Sequence, residues 1–482
     1  MKRLILIILA VWATVCAGSA QQRDYQKEYE AFKRRSLQQY DDFRDKANAA
    51  YAKFMREAWT ECAAQNAEAV PERPEPPRPV VKTPDAQSSN ESVPFDKVVA
   101  PVAPALPPQP AAPLPVPKKS TEPSFAFQFY GTPCAVSLDP KHRFALRGVD
   151  ENSVADAWAH LSSDAYLPVI SECLAWREKL RLCDWGYVRL LEQMTLAFFG
   201  TERLNEARLM QMYILTQSGY KVRIARADGR LVLLLPSKET IYEYPYLAIG
   251  NSKYYIVDPA MRNKSFSVFD REFPKERYFS LQIPAEPLLS VRLSETRTLA
   301  SKRFPEMSVE AAVNRNVIDF YEDYPLSDTW SIYAQASLGA TAKELLYPAL
   351  RRAIEGKNKP TAANMLVNFV QTAFEYKIDE EQFGQERPLF ADETLFYPYS
   401  DCEDRAILYS VLVRDLLGLD VVLLQYPEHL ATAVCFEEEL SGDHIVLNGR
   451  KYLVCDPTYI GASIGDAMPQ YKKTAGKVIR IE

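Results

Sequence analysis

Residues 400–417 read SDCEDRAILYSVLVRDLL. Cys402 follows a short polar turn and opens a run in which Ala406, Ile407, Leu408, Val411, Leu412, Val413, Leu416 and Leu417 leave almost no polar face. Arg405, Ser410, Arg414 and Asp415 are its few interruptions. A helix that is apolar nearly all round belongs inside a core. A thiol at its N-terminus meets the free N–H groups of the first turn and the positive end of the helix dipole. Both favour the thiolate, the nucleophilic form. The competing reading is an inert buried cysteine. Glu403 and Asp404 fall in the first turn, where capping and solvation are the expected roles.

Two further stretches follow at equal steps. YPEHLATAV carries His429 at the mouth of an alternating strand, and KYLVCDPTY carries Asp456 where Pro457 ends another. If the two strands run antiparallel, the start of one lies beside the end of the other. His429 and Asp456 then meet at one rim of a sheet, with the Cys402 helix alongside, as nucleophile, base and orienter. Read blandly, His429 is a rim histidine and Asp456 an Asx-turn residue. His444, before the Asn448-Gly449 hairpin turn, is the nearby rival base. Cys435 and Cys455 read as packing, or as a pair if their strands adjoin. Oxyanion donors are expected from the Cys402 backbone N–H and one upstream group, with Tyr397, Tyr399 and Gln382 as candidates. Glu393 and Thr394 are placed to order the loop before the nucleophile. Gly461-Ala-Ser-Ile-Gly465 matches a serine-elbow pattern, but Pro469 follows closely and no histidine lies beyond His444, so a loop is expected.

The ordered set DCEDRAILYSVLVRDLLGL, HLATAV and KYLVCDPTY resembles the transglutaminase-like superfamily of papain-like cysteine enzymes. The likeness covers roughly the last quarter of the chain, from near Ala362 onward. It implies an α+β domain with a helix packed on an antiparallel sheet. It also implies Cys402, His429 and Asp456 as a triad, and acyl transfer to water or an amine through a thioester. No metal or organic cofactor is implied. One departure is Ser400, where many relatives carry glycine; a serine there can cap the helix.

The remaining chain is organised around that unit. With 482 residues, 47% hydrophobic, it is long enough for two or three domains. A net charge of −6 gives no electrostatic case for nucleic acid. Residues 1–20 read as a secretory signal: Lys2 and Arg3, an apolar run, then Gly18-Ser19-Ala20. That predicts an exported protein, periplasmic or secreted, with no transmembrane span in the mature chain. A lipoprotein signal is disfavoured by Val15 before Cys16. Residues 21–69 read as a helical arm with an aromatic stripe over 22–66. The stripe suits either a partner-binding coiled coil or a helix packed on its own domain. Residues 70–123, with 16 of the 34 prolines, read as an extended polyproline linker.

Residues 124–260 predict a second α+β domain. Within it NEARLMQMYILTQSGYKVRI and YYIVDPA echo the nucleophile helix and the Asp456 strand. That is either a degenerate copy, with Asn205 in the place of Cys402 and no histidine before Asp258, or a chance likeness. Residues 261–325 predict a β-rich connection, and 326–482 the catalytic domain. The function expected is an exported cysteine-dependent peptidase, amidase or transglutaminase acting on a protein or peptide. Two alternatives are a non-catalytic scaffold that binds peptide or glycan, and an assembly component held by residues 22–66.

Overall fold

The computed structural model describes residues 41–71, 79–83, 88–101 and 124–481, short breaks at 259–260, 262–263 and 274–275 aside, with parts of a helix in 27–39. The expected leader over 1–20 and much of the proline-rich stretch lie outside the described residues. The chain is α+β, and its two largest sheets have six strands each.

Helix α1 is followed through residues 41–55. The ring of Tyr51 stacks on Trp158 with centroids 4.2 Å apart, and on Phe273 at 4.4 Å. This end of the aromatic stripe packs on its own chain, whereas Phe32 and Phe43 stay exposed. Strand β1 (Thr60–Ala63) then joins the first sheet instead of continuing an arm. The polyproline expectation over 70–123 fails for the described part. Strand β2 (Phe95–Val99) forms the edge of the second sheet, Val81 bridges Ile460, and Lys82 Nζ pairs with Asp466 at 2.7 Å. Prolines space these contacts without preventing them, because an edge position needs hydrogen bonds on one side only.

Strands β3 (Ser124–Phe129) and β4 (Thr132–Ser137) form a hairpin turning at Tyr130-Gly131, both at positive φ, as a tight hairpin turn requires. Helices α2 (Glu151–Leu161), α3 (Leu167–Lys179), α4 (Asp184–Phe199) and α5 (Leu204–Gln217) follow. Asp150 starts α2 by accepting from the Asn152 and Ser153 amides. Then come β5 (Arg223–Ala227), β6 (Arg230–Pro236), β7 (Tyr246–Ile249), β8 (Ser252–Ile256) and β9 (Ser265–Phe269). Their sheet order is β1-β9-β5-β6-β8-β7. A boundary at residue 260 therefore cuts a sheet. The 261–325 segment is not β-rich throughout either. After β10 (Arg297–Ala300) and β11 (Ser308–Ala311) it turns into helix α6 (Arg315–Glu322).

The C-terminal unit holds α7 (Trp330–Gln335), α8 (Ala340–Ile354), α9 (Lys359–Ala373), β12 (Glu375–Tyr376), α10 (Asp379–Gln382), α11 (Ala391–Phe396), β13 (Tyr399–Ser400) and α12 (Cys402–Leu417). Strands β14 (Asp420–Gln425), β15 (Leu430–Cys435), β16 (His444–Leu447), β17 (Arg450–Cys455) and β18 (Gly476–Arg480) complete it in the order β16-β17-β15-β14-β18-β2. Chain order and neighbours match the first sheet strand for strand: β5 to β9 correspond to β14 to β18, and each sheet ends on a strand from the N-terminal region. The pattern differs only at that last pairing, antiparallel for β1 and parallel for β2.

Ile407, Leu408, Val411, Leu412 and Val413 of α12 are all within 1% of full burial. At ~2 kcal/mol for each branched side chain removed from water, they contribute roughly 10 kcal/mol toward fixing the helix on its sheet. Gly418 ends the helix in the left-handed conformation at φ 62°. One apolar core runs through both units, joining Leu190, Met194 and Tyr213 to Ile407, Leu423 and Ile479.

Candidate functional site

Cys402 is the first residue of α12, His429 immediately precedes β15, and Asp456 immediately follows β17. Strands β15 and β17 are antiparallel, with Thr432 opposite Cys455, so the start of one does lie beside the end of the other. His429 Nε2 is 2.8 Å from Asp456 Oδ2, with both side chains buried. Asp456 Oδ1 also accepts from the Thr458 amide at 2.9 Å, so Asp456 is both partner and Asx-turn residue. The other ring nitrogen, His429 Nδ1, is buried and has no hydrogen-bond partner.

Three groups hold this pair. The Tyr426 amide donates to the His429 carbonyl at 2.8 Å, closing the β14–β15 turn. Tyr471 stacks on the imidazole, centroids 4.9 Å apart and planes 10° apart, and Tyr426 stacks on Tyr471 at 4.5 Å. Gln371 Nε2 reaches the carbonyls of Asp456, Tyr459 and Ala462, which pins the turn beyond Asp456.

Cys402 and His429 line one cavity with Trp330, Glu403, Gln425, Tyr426, Glu428 and Leu430. Its volume is about 20 Å³, room for one water molecule. Cys402 and His429 are 2% and 4% exposed, so the pair is covered in this structure. Trp330 of α7 forms part of that cover.

The expected thiolate is not what the geometry favours. The thiol donates to Glu403 Oε2 at 2.9 Å. Burial pushes its pKa well above the ordinary thiol range, and the charges of Glu403 and Asp401 push it further. A hydrogen bond from the Leu430 backbone N–H acts in the opposite direction. Sequence reasoning placed Glu403 and Asp404 at a solvated helix end. They are instead 1% and 0% exposed. Asp404 takes the backbone role, accepting from the Leu389 and Asp401 amides at 2.9 and 3.3 Å. Burial, then the charge of Glu403, raises its pKa to about 8. Asp401, not Ser400, occupies the helix cap; Ser400 Oγ accepts from buried Arg405 Nε at 3.2 Å.

The upstream oxyanion candidates lie elsewhere. Tyr397 donates its hydroxyl to Glu322 at 2.9 Å, Tyr399 lies in β13 beneath Lys377, and Gln382 ends α10 half-buried. None of the three lines the cavity. The Leu430 backbone N–H reaches the sulfur, and Leu430 was legible only as the first residue of its strand. Glu393 does order the loop before the nucleophile, pairing with Arg387 at 2.5 Å and accepting from the Phe390 amide at 3.1 Å. His444 holds the Gly442 carbonyl at 2.9 Å and does not line the cavity. Cys435 and Cys455 are free thiols, and Gly461–Gly465 is a loop. Trp330 and Tyr471 had no sequence signal, because their roles depend on packing of distant segments.

Comparison with protein-family models, with curated proteins and with solved structures found no match.

Proposed function

We propose that the chain is an exported cysteine-dependent acyl-transfer enzyme of the transglutaminase-like superfamily, acting on a protein or peptide amide. The observation that carries this reading is the His429 ring. Asp456 holds its Nε2, which leaves Nδ1 as the basic nitrogen; Nδ1 is buried and unpartnered, and the residue lines one cavity with Cys402. In the reaction Nδ1 takes the thiol proton as sulfur attacks the amide carbon. The tetrahedral oxyanion receives the Cys402 and Leu430 N–H groups. The C–N bond then breaks, imidazolium returns the proton to the leaving amine, and a thioester remains. Water, deprotonated by the same nitrogen, attacks the thioester, releasing the acid and restoring the thiol. An amine in place of water would give a cross-link. Hydrolysis is the outcome we favour.

The first unit is read as a silent counterpart of this machinery. Asn205 near the start of α5 stands where Cys402 stands, and its Oδ1 accepts from Leu231 N at 2.8 Å, as the sulfur meets the Leu430 amide. Gly229 occupies the position of His429, and Asp258 follows β8 as Asp456 follows β17. With no base and an amide tied into the hairpin, that unit can scaffold or bind but not transfer acyl groups.

A second reading, a non-catalytic scaffold, draws on the covered cavity and the thiol held by Glu403. The two separate on a peptide panel assayed for amide hydrolysis and for incorporation of a fluorescent primary amine. The enzyme reading expects turnover in one assay, abolished alike by Cys402→Ala and His429→Ala. Turnover that survives both substitutions sinks it.

A further inference from the structure

We propose that Asp379, Asp401 and Asp404 form a binding site for a hard divalent cation of the calcium type at the start of α12, with Glu386 and Glu403 as an adjoining carboxylate group that shares Asp379. Oxygen atoms of these side chains fall into overlapping groups. Asp379, Asp401 and Asp404 form one, and Asp379, Glu386 and Glu403 another, with the atoms of each within 4.8 Å of one another. Two ligands at ~2.4 Å from one ion can be no more than about 5 Å apart, so each group fits around a single centre. The five residues are 0–5% exposed, so solvent does not screen their mutual repulsion.

A second observation points to a ligand. Asp401 is fully buried at the helix cap, where a carboxylate ordinarily accepts from the amides of the first turn. Neither of its oxygens accepts any hydrogen bond, and both are buried. Leaving an ionised carboxylate buried without a partner costs several kcal/mol. Among the described residues no ion pair reaches Asp379, Asp401 or Asp404. Arg405 is committed to Ser400, Gln371 and Phe374, and Arg387 pairs through Nη2 with Glu393, its Nη1 being buried without a partner.

The remaining carboxylates are already held for the task. Asp379 Oδ2 accepts from the Arg387 amide at 2.8 Å, and Asp404 Oδ1 from the Leu389 amide at 2.9 Å. The 386–389 loop thereby sets two carboxylates around the orphaned Asp401. An all-carboxylate set selects calcium or magnesium over softer metals. Magnesium keeps most of its water and demands octahedral geometry, which a dry, many-carboxylate pocket does not provide.

The test does not depend on catalysis and uses the full chain carrying Cys402→Ala, stripped with chelator. CaCl2 is titrated by calorimetry and by thermal shift. One saturable site per chain is expected, with a rise in melting temperature. Asp401→Asn and, separately, Asp379→Asn should each weaken binding at least tenfold while leaving the circular dichroism spectrum intact. No binding up to about 10 mM, beyond the weakest ordinary calcium modules, would overturn the proposal. So would binding that both substitutions leave unchanged. Absence of peptide turnover by the chain that retains Cys402, with calcium binding intact, would count against the acyl-transfer reading alone.

Discussion

Asp392→Asn should stabilise the protein, by an amount that grows as pH rises from about 4 to 7 and is full above that. Asp392 in α11 is buried, and burial, followed by the charge of Glu286, raises its pKa to about 7. The ordinary value in an unfolded chain is about 3.9. Between those values the folded state keeps a proton that the unfolded state has released. Stability is therefore undiminished below about pH 4, falls as pH rises toward 7, and stays low above it. Three units at ~1.4 kcal/mol each make the full cost about 4 kcal/mol. Asparagine removes the charge and keeps an oxygen for the Gly339 amide, which Asp392 now binds at 2.9 Å. Glu286 also flanks Gly339, binding the Ala340 amide at 2.8 Å, and can accept from the new amide group. A net gain of about 2–4 kcal/mol is expected at pH 8 and close to none at pH 4. At ~2 cal/mol/K of unfolding entropy per residue, that is a rise of about 2–4 °C for a chain unfolding as one unit. Scanning calorimetry at both pH values measures it. An equal shift at both, or a loss at pH 8, would refute the reasoning.

Other expectations concern the site. Asp456→Asn should lower peptide turnover by about 10³–10⁴-fold, by releasing the tautomer that leaves Nδ1 basic, with the fold unchanged by circular dichroism. Alkylation of Cys402 by iodoacetamide at pH 7 should be slower than that of half-buried Cys62, and Glu403→Gln should speed it by about tenfold or more; peptide mapping reads both rates. Trp330→Ala should also speed alkylation by uncovering the cavity, and cost about 3–5 kcal/mol in urea unfolding as a buried aromatic is lost. Tyr51→Ala should lower the melting temperature through the lost stack on Trp158; an unchanged value would mean that α1 is not part of the domain.

The sequence marked Cys402, His429 and Asp456 because each stands at a local punctuation point: a helix start, a strand start and an Asp-Pro strand end. Those are one-dimensional signals, and antiparallel pairing of β15 with β17 converts them into proximity. The shared sheet order of the two units was likewise foreshadowed by paired helix-then-strand patterns. Charge environment was not legible. Glu403 and Asp404 look solvated in a helix wheel, but the 386–389 loop closes over them, and nothing nearby in the chain announces that closure. Edge strands were missed for a related reason. Proline content at 70–123 predicts polyproline, yet β2 needs only one hydrogen-bonding side and finds it about 380 residues away.

That distant pairing bears on how the molecule is made. Residues 95–99 leave the ribosome about 380 residues ahead of β18, the strand they pair with in the sheet. The β2 ribbon must therefore stay unpaired while those intervening residues are made, guarded by its exposed Asp96 and Lys97. A fragment beginning at residue 326 would be born with β18 as a bare border, inviting the ribbon of a neighbouring molecule to dock in its place.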